Sequence, residues 1–363
     1  MTPGAAMPAP PCVVMRADAS PAMGTGHVMR CLALAEALQD RGVRVVFAMA
    51  AGSPAMDARV AGAGFTVHRT PSPAGGPADL AATRGLLDAE GARALVLDGY
   101  HFDTDFRTGL RTPGRPVLVF DDLADRPAFH ADLVVNPALQ ADRELYARIA
   151  PGARLLLGPA YAALRREIRT AAAAPRPDPV ERRAVLVTFG GADPPGLTAP
   201  CLAALAERLP VSCRLLAVVG GANPRAAEVR AVAARLGDRA EVHVDTPSMG
   251  ALMAQAGLAV SAGGGTTGEL AALGVPMLLV VIADNQAPAA ARAAAAGLAA
   301  VVDARSDAPG AAVAAITAQA RHLWDDPQRR GAMAARAAAA VDAQGAPRIA
   351  DALIAAMGAG HSS

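Results

Sequence analysis

Lysine is absent from this 363-residue chain, and all 34 of its basic side chains are arginine. That removes a P-loop lysine, Schiff-base chemistry and lysine general bases from the repertoire. The abundance of Ala, Gly, Pro and Arg points to genomic base composition as the cause. A surplus of charge is missing too. With 33 acidic residues the formal net charge is +1, so no overall field favours nucleic acid or an anionic membrane surface.

Cysteine is sparse: Cys12, Cys31, Cys201 and Cys213 lie in apolar contexts with no metal-ligand or redox spacing. They read as reduced core thiols, which fits a cytoplasmic enzyme. No cluster of Cys, His and carboxylates has metal-ligand spacing, so neither a metal nor another cofactor is expected. The one acidic run, Asp121-Asp-Leu-Ala-Asp125, reads first as loop capping and strand-end hydrogen bonding. Residues 1–11 lack the cationic segment and apolar core of a signal peptide and read as a disordered extension. No uninterrupted apolar run reaches the length of a membrane span, and the stretch Val275–Ala283 reads as a buried strand with its entry loop.

What is present is alternation. Short Val/Leu-rich runs (Cys12–Met15, Val43–Ala48, Phe65–His68, Ala94–Asp98, Val117–Asp121, Leu133–Val135) are separated by Ala/Leu/Arg-rich helical stretches. This predicts parallel strands with crossover helices over residues 12–167. Residues 168–183, with three prolines and no apolar periodicity, read as an interdomain linker. A second alternating series occupies residues 184–345, and residues 346–363 read as a terminal helix and tail. The length suffices for two such domains, giving an α/β fold of two Rossmann-like, doubly wound parallel sheets facing a cleft.

In such sheets ligands bind beyond the carboxyl ends of the strands. The first such segment runs from Asp18 through Gly24-Thr-Gly26 to His27 and Arg30 and joins the first strand to the first helix. A glycine turn there points backbone N–H groups and a helix dipole at an anion. It lacks the third glycine of the dinucleotide fingerprint, which disfavours NAD. His27, in the first helical turn, is a candidate general base; the alternative is a capping or buried hydrogen-bonded histidine. Tyr100, one of three tyrosines, follows Asp98 at a strand end and is either a ligand contact or a buried ring. In the second series Gly190-Gly191 and Ser261-Ala-Gly-Gly264-Gly265-Thr266-Thr267-Gly-Glu269 follow strands. Thr266 and Glu269 have capping-box spacing; the functional reading adds that the N–H groups receive a diphosphate while Glu269 accepts from ribose hydroxyls. Asn285 reads as a helix N-cap that can also touch ligand, with Gln286 beside it.

Taken together, Arg16-Ala-Asp-Ala-Ser, Met23-Gly-Thr-Gly-His-Val-Met-Arg, Asp98-x-Tyr100, Asp121-Asp-Leu-Ala-Asp-Arg, Leu157-Gly-Pro-x-Tyr-Ala-x-Leu-Arg165, Phe189-Gly-Gly-x-Asp193, Gly263-Gly-Gly-Thr-Thr-x-x-Glu-Leu-Ala and Ala283-Asp-Asn-Gln286 resemble one family. It is the UDP-2,4-diacetamido-2,4,6-trideoxy-β-L-altropyranose hydrolase family of pseudaminic acid biosynthesis, and the match runs from about Val13 to Gly297. The resemblance implies a GT-B-like fold and an inverting UDP-sugar hydrolase. His27 would deprotonate water, and Tyr100 and Asn285 would line the sugar and phosphate region. Gly190, Gly191 and the Gly263–Glu269 cluster would bind UDP, and the Gly24 turn would lie beside the phosphates. One departure is Gly99, where members often carry histidine; here the histidine is His101. The expected partner is a UDP-sugar, not nucleic acid or membrane. Oligomeric state is not set by the sequence. The rival readings are a UDP-sugar-dependent glycosyltransferase, a hydrolysing UDP-N-acetylhexosamine 2-epimerase and a non-catalytic nucleotide-sugar-binding module.

Overall fold

The structure, a computed structural model, describes residues 10–20, 23–139, 141–191, 193–221, 223–306 and 308–359. The predicted extension therefore lies almost wholly outside the described residues. Two units emerge from the contacts: one comprises residues up to Asn136, Asp142–Leu157 and the chain from Ala346 onward, the other Pro137–Ala141 and Gly158–Gly345.

The first unit is built on strands β1 (Cys12–Ala17), β2 (Arg44–Met49), β3 (Thr66–Arg69), β4 (Ala92–Asp98), β5 (Val117–Phe120), β6 (Leu133–Asn136) and β7 (Arg154–Leu157). All pairings are parallel, in the order β3-β2-β1-β4-β5-β6-β7. Every residue of β1, β5 and β6 is buried, as expected where helices cover both faces of a parallel sheet. The edge strand β7 is the one the sequence does not announce, being four residues long and paired only with β6.

The second unit holds β8 (Ala184–Thr188), β9 (Arg214–Val219), β10 (Ala240–Val244), β11 (Ala256–Ala262), β12 (Met277–Val281) and β13 (Ala299–Asp303) in the order β10-β9-β8-β11-β12-β13, again all parallel. Two apolar clusters form its core, one containing Val187, Leu202 and Val260, the other Leu186, Ala259 and Leu279. Neighbouring residues of one strand thus feed opposite faces.

The boundaries differ from the sequence reading: the first unit is expected over residues 12–167, but Pro137–Ala141 and Gly158–Gly345 belong to the second. The expected linker, 168–183, lies inside the second unit, and Arg166–Ala173 is a helix that buries Ile168. Glu167 Oε2 there accepts the N–H of Gly250 at 3.0 Å. At eight residues the helix is shorter than the stretch over which a helical period can be read, and the prolines that follow it at 175, 177 and 179 dominate the segment. The terminal helix Gly345–Ala359 belongs to the first unit almost throughout: Arg41 Nε donates to Asp351 at 2.6 Å, and Arg93 donates to the Met357 carbonyl at 3.1 Å.

Candidate functional site

In each sheet the strand order reverses direction between the first strand and its partner, β1 beside β4 and β8 beside β11. The carboxyl ends of those pairs are the topological switch points where open α/β sheets bind ligands. They carry the segments singled out from the sequence.

In the first unit Gly24 turns the chain with φ +79° while its N–H bonds to the Ser20 carbonyl at 2.7 Å. Gly24, Thr25 and Gly26 are exposed, and helix Gly26–Gln39 starts with Thr25 as an N-cap whose side chain makes no capping bond. The hydrogen-bond ladder begins at Met29, which donates to the Thr25 carbonyl, so the N–H groups of Gly26, His27 and Val28 precede it.

His27 is 5% exposed, and its Nδ1 stands 2.6 Å from Oδ1 of Asp98, the last residue of β4. An ionised carboxylate only accepts, so Nδ1 carries the proton and Nε2 keeps a lone pair. The Tyr100 ring meets the imidazole edge-on at 4.7 Å. Asp98 is held in turn by Arg30, whose Nε donates to Oδ2 at 2.5 Å and Nη2 to Oδ1 at 2.7 Å. Arg30 Nη1 reaches Asp122 Oδ1 at 2.7 Å, and the Tyr100 hydroxyl donates to Asp122 Oδ2 at 3.0 Å. Arg30 is therefore spent on two carboxylates and not presented to an anion.

Burial opposes the charge on Arg30, but Asp98 and Asp122 outweigh it and raise its pKa well above the ordinary value. Burial likewise pushes Asp122 up, yet Arg30 and the Tyr100 hydroxyl hold it below the usual carboxylate range. Burial and then Asp122 lift the Tyr100 phenol, which stays protonated at neutral pH. One guanidinium and two carboxylates sum to one negative charge, so a proton arriving on His27 neutralises the cluster.

Asp18 differs from the ligand contact expected of it. It is fully buried; Oδ2 accepts from Arg16 Nη1 at 2.7 Å, and Oδ1 accepts the N–H groups of Ala50 and Ala51 at 2.7 and 2.8 Å. Arg16, also fully buried, extends to Asp79 at 3.0 and 2.7 Å. His101 Nε2 lies 2.9 Å from Asp18 Oδ2. Burial raises the Asp18 pKa, but His101, Arg16 and the Ala51 N–H more than offset this. The Gly99 departure finds a physical reason here. A Cβ at Gly99 would lie 2.7 Å from His101 Cε1 and 3.0 Å from Phe102 Cε2, so the glycine leaves room for the imidazole that faces Asp18. Asp121 does cap its loop, accepting the Ala124 N–H at 2.7 Å, and also accepts from the Tyr146 hydroxyl.

In the second unit Gly190 has φ +81° and Gly191 is exposed. A Cβ at Gly220 would stand 2.3 Å from the Gly191 carbonyl oxygen, so two strand-end turns approach backbone to backbone. Ser261 is buried and donates to the Ala262 carbonyl at 3.1 Å, which turns its hydroxyl inward. Gly264 and Gly265 are exposed, with nothing within 4 Å of where a Cβ would be. The expected capping box does not form. Helix Thr266–Ala272 has Gly265 as its N-cap, because the coil begins one residue early when Thr267 N–H bonds to the Gly264 carbonyl at 3.0 Å. Glu269 turns instead to Arg165 Nη2, 3.0 Å away.

Nor is Asn285 an N-cap. It lies exposed in the 3₁₀ turn Asp284–Gln286, and Gln286 precedes helix Ala287–Ala295. The Gln286 side chain is used locally, Oε1 accepting the Ile282 N–H at 3.0 Å. Asp98, Asp122 and Arg165 are the residues that a residue-by-residue reading passes over. Asp98 and Asp122 had a signal in their strand-end positions, and Arg165 only in its recurrence within a motif.

Among the described residues no group of three or more His, Cys, Asp or Glu is placed to hold a metal, and no helix is long and apolar enough to cross a membrane. All four cysteines are buried and free.

No protein-family model and no curated protein matches the chain. Solved structures do. MurG of Acinetobacter baumannii matches at 18% identity with a TM-score of 0.62, covering 95% of this chain and 100% of that one. The UDP-GlcNAc 2-epimerase of Neisseria meningitidis, bound to UDP-GlcNAc, matches at 15% identity and a TM-score of 0.63, covering 95% and 100%. The spinosyn rhamnosyltransferase SpnG matches at 20% and 0.63, covering 95% and 99%. Likeness at such identities speaks to architecture: the chain has a GT-B-like α/β fold, two units each built on a doubly wound parallel sheet.

Proposed function

We propose that this chain acts on a UDP-sugar and breaks its anomeric C–O bond, with His27 as the base that activates a hydroxyl nucleophile. The observation that carries this reading is the 2.6 Å contact of His27 Nδ1 with Asp98, which leaves Nε2 as the proton acceptor. Nucleotide-sugar chemistry is supported by neighbours in fold that include a UDP-GlcNAc 2-epimerase bound to UDP-GlcNAc and a rhamnosyltransferase. In this reading the diphosphate is met mainly by backbone N–H groups at glycine turns, since the chain has no lysine and Arg30 is already paired.

The finer reading is hydrolysis. The ordered motif set from Arg16 to Gln286 resembles the hydrolase of pseudaminic acid biosynthesis, and we take water as the nucleophile. A water O–H gives its proton to His27 Nε2, the oxygen bonds to C1, the C1–O bond breaks, and UDP leaves with the bonding pair. Attack opposite the leaving group inverts the anomeric centre and yields 2,4-diacetamido-2,4,6-trideoxy-L-altrose. A second reading, transfer to a sugar hydroxyl, is favoured by the glycosyltransferases among the fold neighbours. Proton and phosphorus NMR with a panel of UDP-sugars, lacking acceptor and metal, separates them. UDP release with a free, inverted sugar supports hydrolysis, whereas strict dependence on an acceptor assigns the transferase. A 2-epimer product would indicate epimerase chemistry, and binding without turnover a non-catalytic module.

A further inference from the structure

Arg165 ends the run that leads into helix Arg166–Ala173, and its side chain is only 11% exposed. Its Nη2 lies 3.0 Å from Glu269 Oε1 and 3.1 Å from Glu167 Oε1. Glu167 is itself anchored, because its other oxygen accepts the Gly250 N–H. The run also packs on the helix that carries Glu269: a Cβ at Gly268 would lie 3.7 Å from Leu164 Cδ2 and 3.8 Å from Ala162 Cβ. Arg165 is thus a fixed donor rather than a mobile surface charge.

Its consequence falls on Glu269. A glutamate three residues after a threonine at a helix start ordinarily folds back to cap that start. Here Oε1 is taken by Arg165 instead, and Oε2 accepts no hydrogen bond among the described residues. The side chain keeps 16% of its surface open. A carboxylate held at one oxygen and open at the other suits a hydroxyl donor, and two adjacent donors are what a ribose diol offers.

The geometry points to Arg165 as the positioning residue that holds Glu269 extended for a ribose diol, making Arg165 a determinant of ribonucleotide over dideoxyribonucleotide choice. This rests on the nucleotide reading above. Arg165 and Glu269 form a pair whose product is a preference, not merely an affinity.

Isothermal titration of the full chain with UDP and with 2′,3′-dideoxy-UDP tests it. The unaltered protein is expected to favour UDP by about tenfold or more, the scale of a hydrogen bond to a charged acceptor. Arg165→Met and Glu269→Gln should each cut that ratio to about threefold or less, and Arg165→Lys should restore part of it. Circular dichroism checks folding, and Arg165→Lys keeps a charge for Glu167 and Glu269 if the methionine variant folds poorly. A preference that survives in Arg165→Met while affinity for both nucleotides falls equally overturns the positioning role. Failure of the unaltered protein to bind either nucleotide overturns the nucleotide reading together with this inference.

Discussion

In the proposed reaction His27 can act as a base only while Nδ1 keeps its proton and Nε2 its lone pair, the arrangement that the 2.6 Å contact with Asp98 favours. His27→Ala is expected to retain UDP affinity and to lower turnover by about 10²–10⁴-fold, the usual contribution of a general base. Asp98→Asn should keep the shape but free the ring to flip tautomer, with a loss of similar order in kcat and little change in nucleotide affinity; stopped assays of UDP release and calorimetry measure the two. Arg16 makes a different kind of prediction. Asp18 and Asp79 are both pushed up by burial but pulled lower still by His101, Arg16 and backbone N–H groups. Their folded pKa values lie below the unfolded ones, so the stability they confer is present above about pH 4 and is lost as pH falls through the folded values. Arg16→Met leaves two buried carboxylates without their cation and should cost about 3–5 kcal/mol at neutral pH, read from denaturant midpoints.

At the scale of elements, the turn after β4 matters most, because it carries Tyr100 against His27 and His101 against Asp18. The His101 ring occupies the space beside Gly99. Gly99→Ala should therefore push His101 off Asp18 and shift Tyr100, lowering turnover by up to about 10²-fold while the fold persists. In a His101→Ala background the same substitution meets less obstruction and should cost much less, a non-additivity that a double-mutant cycle of kcat reads directly. The second glycine element teaches a related lesson. Thr266 and Glu269 have capping-box spacing, yet Gly265 starts the helix and Arg165, far away in sequence, takes the glutamate. Spacing names the partners that are near along the chain; it says nothing of one that arrives from 104 residues away.

For the whole molecule, the returning C-terminal helix is the informative feature. Ile349, Leu353 and Met357 are buried, and Arg41 and Arg93 fasten the helix to the first unit. Each such apolar side chain contributes roughly 1.5–3 kcal/mol on burial. Truncation after Gly345 should accordingly loosen the first unit while the second stays folded. Limited proteolysis should then cut ahead of Leu157 first; equal protection of both units would refute that dependence.

Much of the architecture was legible along the chain, and all of that is local in origin. Strands buried on both faces must be apolar throughout, so alternating Val/Leu runs disclosed two parallel sheets. Glycine turns after strands marked both switch points, and His27 stood out within one of them. Pairings across the chain emerge in the folded molecule alone. Asp98 and Arg30, 68 positions apart, lock the imidazole. Asp18, an apparent ligand contact by position, is consumed by Arg16 and the Ala50–Ala51 backbone. The alanine-rich helix in the expected linker and the terminal helix on the first unit belong here as well. Charge pairs carry no periodic signal, because their energy comes from whichever distant group the fold brings within hydrogen-bond reach, and a helix of eight residues is too short to display a period.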